Sequence, residues 1–224
     1  MASFKLNIAQ IRGCPPPSEV LAGMEEFGLP KSEEYGVLNC SATDKVVLST
    51  IVRRTQQAIQ RLDTEAKELT AAPVEKVVAY PLAVRPASDV LEIYAGAAAG
   101  IEQVGYFFAG CLAFPTVVEP IKIDIPSAID KLVANTERCQ LRSLRVSDYS
   151  HNSYMIGPYQ PKFLDSQHGM DFLNEYVEGV TAANVRFAGP SGRVNVKLTA
   201  TACFSFSCSE DDQPYVQSIL RKLI

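Results

Sequence analysis

The 224-residue chain has 21 Lys and Arg against 25 Asp and Glu, which gives a formal net charge of −4 at pH 7. Its 47% hydrophobic and 21% charged residues are typical of an ordinary globular protein and exclude the disordered and fibrous classes. The acidic balance argues against a uniformly basic nucleic-acid-binding protein and leaves room for a local basic groove.

The sequence gives no sign of a membrane segment or a secretion signal. Residues 1–8 alternate polar and apolar side chains, whereas a signal peptide has a basic region followed by an apolar one. The most apolar stretch, 93–118, is interrupted by Glu102, Gln103 and Pro115, and its cleanest part, 104–114, is too short for a spanning helix. We therefore expect a buried core helix here and no contact with a membrane.

The six cysteines include no C-x-x-C pair, and the chain has only two histidines. A structural zinc site is therefore not expected, and the cysteines assign no other metal or cofactor. Free thiols that behave as small hydrophobic side chains fit a reducing compartment, so we expect a cytoplasmic protein.

In the first half of the chain, apolar residues at alternate positions from 4 to 11 predict an opening strand. Ser18 is placed to cap a short helix that ends near Gly28. Strands are predicted at 35–40 and 90–94, and a buried helix at 96–114. The segment 45–62 has both a helical apolar face and many β-branched residues, and a long hairpin with the following segment is the favoured interpretation.

In the second half, the pattern predicts a strand at 117–125, a helix opening at Pro126, a strand around 141–146, a polar segment at 147–159 and a helix at 171–180. Two strands around a Gly-rich turn, 185–198, form the firmest hairpin. A strand at 203–208 and a last helix follow.

These elements predict an α+β fold with mostly antiparallel sheet and four or five packed helices. A soft boundary near residue 115 divides the chain into lobes 1–115 and 116–224, which are either two similar α+β lobes or parts of one continuous domain.

Both histidines follow an aspartate at the same spacing, in Asp148-Tyr-Ser-His151 and Asp165-Ser-Gln-His168. A carboxylate that orients an imidazole makes a general base, and two such pairs, if adjacent in space, could activate water or hold a divalent metal ion, with Ser150 or Ser153 as a nucleophile. The alternative is a polar loop in which Asp165 or Ser166 caps the next helix.

Two arginine clusters are candidates for binding nucleic acid or another anion. The first comprises Arg53, Arg54 and Arg61, and the second comprises Arg138, Arg142 and Arg145. Guanidinium groups suit phosphate and base edges, but the abundant Asp and Glu could equally balance both clusters.

Two other features have plainer explanations. Gly96 and Gly100 bound a small-residue turn that could cradle a nucleotide phosphate at a helix start, although both established Gly-rich phosphate motifs are missing. Phe187, Phe204 and Phe206 could stack on bases, but their apolar neighbours favour a place in the core.

The leading functional hypothesis is a non-enzymatic binding or assembly subunit that contacts a protein partner or itself, with a nucleic-acid-handling complex as one setting for it. The alternative is a metal- or His-dependent hydrolase or nuclease that uses Asp148, His151, Asp165 and His168. The third is a nucleotide-binding domain that uses the 96–100 turn.

Overall fold

A computed structural model describes residues 1–27, 34–63, 67–95, 98–112, 115–152, 155–176 and 178–224. Side chains at 61–63, 68, 70, 98–101, 151 and 152 are also outside the described part. Within it the chain forms five α-helices: α1 (Pro17–Glu26), α2 (Ala98–Gly110), α3 (Ile125–Asn135), α4 (Ser166–Glu175) and α5 (Gln213–Arg221).

The described strands are β1 (Ala2–Arg12), β2 (Tyr35–Ala42), β3 (Val47–Asp63), β4 (Glu68–Arg85), β5 (Val90–Ile93), β6 (Val117–Pro120), β7 (Glu137–Asn152), β8 (Met155–Tyr159), β9 (Val180–Gly189), β10 (Gly192–Thr199) and β11 (Cys203–Cys208). The predicted α+β class with antiparallel strands is confirmed. None of the described helices is both long and apolar enough to cross a membrane.

The chain divides into two compact units. One comprises residues 10–119, and the other comprises residues 1–9 together with 120–224. The division lies close to the predicted boundary at 115, but the first nine residues join the C-terminal unit because β1 pairs with β11.

The unit of residues 10–119 is built on a long antiparallel hairpin. β3 and β4 pair continuously from Val47 opposite Val84 to Asp63 opposite Glu68. β2 covers the other edge of β3 only as far as Arg53, and β5 pairs with the last four residues of β4. The favoured hairpin interpretation of 45–62 is therefore correct, because β-branched residues decide the conformation where the helical pattern is equally good.

Helix α2 confirms the predicted core helix within this unit. Val104 and Phe108 are fully buried, and Cys111 and Leu112 are nearly so. Helix α1 differs from the prediction at its start: Pro16 is the N-cap and Ser18 lies inside the first turn. Proline is favoured in the first turn because its φ is already helical and its missing N–H would have no partner there.

The C-terminal unit has a sheet with the strand order β1-β11-β10-β9-β7-β8, in which these pairings are antiparallel. Burial alternates along β10 and β11, as expected for strands with one face in a core. The buried face contributes, among others, Leu6, Leu141, Leu144, Val185, Phe187, Val194, Val196, Leu198, Phe204 and Phe206. Helices α3 and α5 bury their own apolar residues, including Ile129 and Leu220.

Several predicted elements of this unit have different bounds. The strand predicted at 117–125 ends at Pro120, because Asp124 caps α3 by accepting a hydrogen bond from the Ser127 N–H at 3.0 Å. The polar segment 147–159 is the end of β7 and all of β8. The helix predicted at 171–180 is α4, which begins five residues earlier because Asp165 caps it and which ends at Glu175.

Candidate functional site

Arg53, in the first arginine cluster, already forms hydrogen bonds and an ion pair with residues of its own unit. Its guanidinium contacts the Glu34 carboxylate at 2.6 Å and donates to Gln103 Oε1 at 2.7 Å. It also lies over the Tyr35 ring, 5.4 Å from the centroid. The Glu34 hydrogen bond raises the pKa of the guanidinium. This environment matches the balanced-charge alternative.

Arg54 lies on the opposite face of β3 from Arg53, and its Nε is 3.9 Å from the Glu75 carboxylate. The side chain of Arg61 is outside the described residues. The described part of the first cluster therefore presents no concentrated positive surface.

The arginines of the second cluster all lie in β7, in different settings. Arg138 is exposed, in an irregular part of the β7–β9 pairing, with a φ of 50°. Arg142 is half-buried at a second irregularity, and its Nη1 donates to the Leu164 carbonyl at 3.5 Å. Arg145 is exposed opposite Ala182.

Arg142 and Arg145 border the polar face of the C-terminal sheet, which has two adjoining grooves. The first groove encloses about 510 Å³ and is lined by Leu144, Arg145, Ser147, Pro158, Gln160, Thr181, Ala182, Asn184, Lys197 and Thr199. The second encloses about 550 Å³. Its lining comprises Ser3, Arg142, Ser143, Lys162, Phe163, Leu164, Asn184, Val185, Arg186, Asn195, Val196, Lys197, Ser205, Phe206 and Ser207. Asn184 and Lys197 line both grooves, so the two form one surface.

The polar face follows from strand alternation. In β9 and β10, Val185, Phe187, Val196 and Leu198 are buried, so the residue between each consecutive pair must point to the other side of the sheet. Those intervening residues are Arg186 and Lys197. The buried residues therefore hold these cations in place on the opposite face.

Five cationic side chains line the two grooves: Arg142, Arg145, Lys162, Arg186 and Lys197. No Asp or Glu is among the described residues that line them. Asp148 follows Ser147 at the end of the first groove and accepts a hydrogen bond from the Ser147 hydroxyl at 2.9 Å. We call the two grooves and these five cations the basic face.

Hydrogen bonds between neighbouring strands order this face. Arg186 Nε donates to Asn195 Oδ1 at 3.0 Å, and Asn195 Nδ2 donates to the Ser207 hydroxyl at 3.4 Å. Asn184 Nδ2 donates to the Ser143 hydroxyl at 2.6 Å. The polar groups are therefore partly fixed before any ligand binds.

Sequence reasoning identified Arg142 and Arg145 but missed Lys162, Arg186 and Lys197. The signal for two of these was present, because alternation in the predicted 185–198 hairpin puts Arg186 and Lys197 opposite the valines. Lys162 reaches the same face because its backbone forms an isolated antiparallel β-bridge with Ser143. The local sequence does not predict this pairing.

The structure brings Asp165 and His168 together at the start of α4. Asp165 accepts from the His168 backbone N–H at 3.0 Å, and its other oxygen is 2.5 Å from Nδ1 of the ring. These hydrogen bonds lower the pKa of Asp165, and the side-chain hydrogen bond to Asp165 raises the pKa of His168. The side chain of His168 is 80% exposed, and the arrangement is a helix cap, as the alternative interpretation of this segment has it.

The structure does not bring Asp148 to that pair. The first turn of α4 lies against Leu141, since the Ser166 hydroxyl accepts from the Leu141 N–H at 3.3 Å. Asp148 is seven residues further along β7, a distance of roughly 20 Å in a strand. The backbone of His151 lies in β7, but its side chain is outside the described residues, and Ser153 is outside them altogether.

The remaining candidates are metal-ligating clusters, the cysteines and the 96–100 turn. Within the described residues, no group of three or more His, Cys, Asp or Glu side chains could hold a metal ion. All six cysteines are free, and burial raises the pKa of Cys111 to about 12, which keeps its thiol protonated. Gly96 is outside the described residues, whereas Gly100 lies in α2.

The three phenylalanines considered as a stacking platform are core residues. Phe187 and Phe204 are each 1% exposed and Phe206 is 2% exposed. Phe206 also stacks on Phe4, with ring centroids 5.5 Å apart. The interpretation of these rings as core is confirmed, although Phe206, together with Phe163, is among the residues that line the second groove.

No protein-family model matches this chain, and a search of curated proteins finds none that matches it.

Proposed function

We propose that this protein is a non-enzymatic binding subunit of a nucleic-acid-handling complex and that its basic face binds single-stranded nucleic acid. The observation that carries the proposal is the gathering of five cations, without a lining carboxylate among the described residues, in a chain whose net charge is −4. Phosphate contacts by Lys and Arg provide most of the sequence-independent affinity for nucleic acids.

The dimensions of the face favour a single strand. Groove volumes of about 510 and 550 Å³ are in the range that accommodates one small ligand each. Successive nucleotides of a flexible strand can occupy two such adjoining sites. Phe187, Phe204 and Phe206 are at most 2% exposed, so the proposal rests on phosphate contacts by the five cations.

The test is fluorescence anisotropy with 5′-labelled dT20 and rU20, with polyglutamate as a competitor of the same charge sign. We expect binding that weakens steeply with salt and that polyglutamate displaces poorly. Reversing two charges, with Arg145→Glu and Lys197→Glu together, should abolish binding.

The matched control is Lys45→Glu with Lys76→Glu, which changes the net charge equally at two exposed positions outside the C-terminal unit. Equal losses in both double variants would mean that net charge, and not this face, governs binding. Preferential binding of polyglutamate would assign the face to an acidic protein partner and would overturn the proposal.

A further inference from the structure

We propose that Arg186 is the anchor of the basic face and binds one phosphate through both terminal nitrogens, with Asn195 as the residue that positions it. This inference rests on the proposed function and assigns roles within that site.

The first observation is the hydrogen-bonded row across three strands. Arg186 is directly opposite Asn195 in the β9–β10 pairing, and Asn195 is directly opposite Ser207 in the β10–β11 pairing. The Arg186 Nε–H donates a hydrogen bond to Asn195 Oδ1. Asn195 is oriented in turn by its own hydrogen bond to the Ser207 hydroxyl. A guanidinium held at Nε loses less side-chain freedom when it binds, since its plane is already fixed.

The second observation concerns the N–H groups of Arg186 that are left without a hydrogen bond after Nε has bound Asn195. An arginine has five N–H groups, of which Nε carries one, so the two terminal nitrogens of Arg186 carry the other four. Among the described residues these two nitrogens have no hydrogen-bond partner, and the half-buried side chain lines the second groove. Two parallel N–H donors match two oxygens of a phosphate.

The third observation is the neighbouring row, in which Asn184 lies opposite Lys197. Asn184 is two residues from Arg186, so the rows are about 7 Å apart along the strands. Lys197, a flexible point charge at the junction of the two grooves, is placed to contact a second phosphate. Arg186 and Lys197 therefore have different roles: the arginine fixes one phosphate geometrically, and the lysine contributes charge.

The test distinguishes the contribution of the paired N–H donors of Arg186 from the contribution of its positive charge. The dissociation constant for labelled dT20 is measured over a range of salt concentrations for the wild type, Arg186→Lys, Asn195→Ala and the double variant. Arg186→Lys keeps the charge and loses the paired donors, so we expect about a ten-fold weaker affinity with an unchanged salt slope. Asn195→Ala should weaken binding several-fold, also with an unchanged slope.

Because Asn195 is inferred to act through Arg186, the double variant should bind no more weakly than Arg186→Lys alone. Asn135→Ala, at an exposed position at the end of α3 and outside both grooves, is the matched control and should bind as the wild type does. Thermal unfolding of each variant monitors the fold.

Wild-type affinity in Arg186→Lys would overturn the role of the paired donors. Additive losses in the double variant would overturn the positioning role of Asn195. In both cases the wild type still binds, and the proposed function stands. If the wild type does not bind dT20 or rU20 at all, the proposed function fails, and this inference fails with it.

Discussion

The salt dependence of binding gives the sharpest quantitative prediction, and Lys197 is the residue to remove. Each phosphate neutralised on a single strand contributes about 0.7 to the slope of log affinity against log salt. If all five cations of the basic face contact phosphates, the expected slope is about −3.5. Affinity should then fall about 130-fold between 50 and 200 mM salt.

Lys197→Ala removes one contact from the point where the two grooves meet. The slope should change to about −2.8, and the fall over the same salt range should shrink to about 50-fold. The measurement is anisotropy of labelled dT20 at four salt concentrations, with Lys45→Ala as a control that leaves the slope as it is. A wild-type slope near −1, or an unchanged slope in Lys197→Ala, would refute the count of contacts.

Three further predictions concern stability and ionisation, and the last of them has a consequence for the pH dependence of stability. Phe204→Ala should lower the free energy of unfolding by about 3–5 kcal/mol in urea titrations, because it empties a position that is 1% exposed. Asp212→Ala should cost about 1–3 kcal/mol by the same assay, because the 1% exposed Asp212 carboxylate accepts from the Ser191 N–H at 2.9 Å. In NMR titration, the pKa of His168 should lie above its ordinary value of 6.5 and should fall towards it in Asp165→Asn. The Asp165–His168 pair should stabilise the fold most between about pH 4 and 6.5, with the contribution lost as Asp165 protonates in acid and as His168 deprotonates at higher pH.

Each of these predictions has a contrary outcome. A Phe204→Ala variant that keeps its stability but loses oligonucleotide binding would restore the stacking interpretation. Wild-type stability in Asp212→Ala would mean that the Ser191 turn does not depend on the carboxylate. An unchanged His168 titration in Asp165→Asn would remove the Asp165 hydrogen bond as the cause of the raised pKa.

The strand pattern was predictable wherever one face of a strand is buried. Alternation of apolar residues identified β9, β10 and β11, because a slip of one residue would turn Val194 and Val196 towards solvent. The same reasoning was weaker for β3, because among the described residues its outer half pairs only with β4 and has no buried side chain between Arg54 and Gln60. There the β-branched composition favoured the hairpin, but no periodicity settled it.

Helix ends were predicted less well than helix interiors. The apolar residues of α4 were recognised, but its first turn is set by the Asp165 cap and carries a polar sequence. At α1, three consecutive prolines determine the start, and the nearby Ser18 misled the assignment. Local hydrogen bonds and fixed φ angles decide such boundaries, and hydrophobic periodicity does not report them.

The basic face was only partly predictable, because its residues are distant in sequence. A cluster within one strand, such as Arg142 and Arg145, is visible in a linear search. Lys162 and Lys197 reach the same face through the pairing of separate strands. The ion pair between Arg53 and Glu34 could not be predicted either, because the two residues are 19 positions apart in the chain.

The most direct test of the central claim is to map the contact surface by two-dimensional amide NMR while unlabelled dT20 is added to the ¹⁵N-labelled protein. We predict that the largest shifts fall on residues 142–147, 184–186 and 195–199, around Arg186 and Lys197. Shifts confined to β3 and β4, with none in β9 or β10, would contradict the claim that the basic face binds the strand.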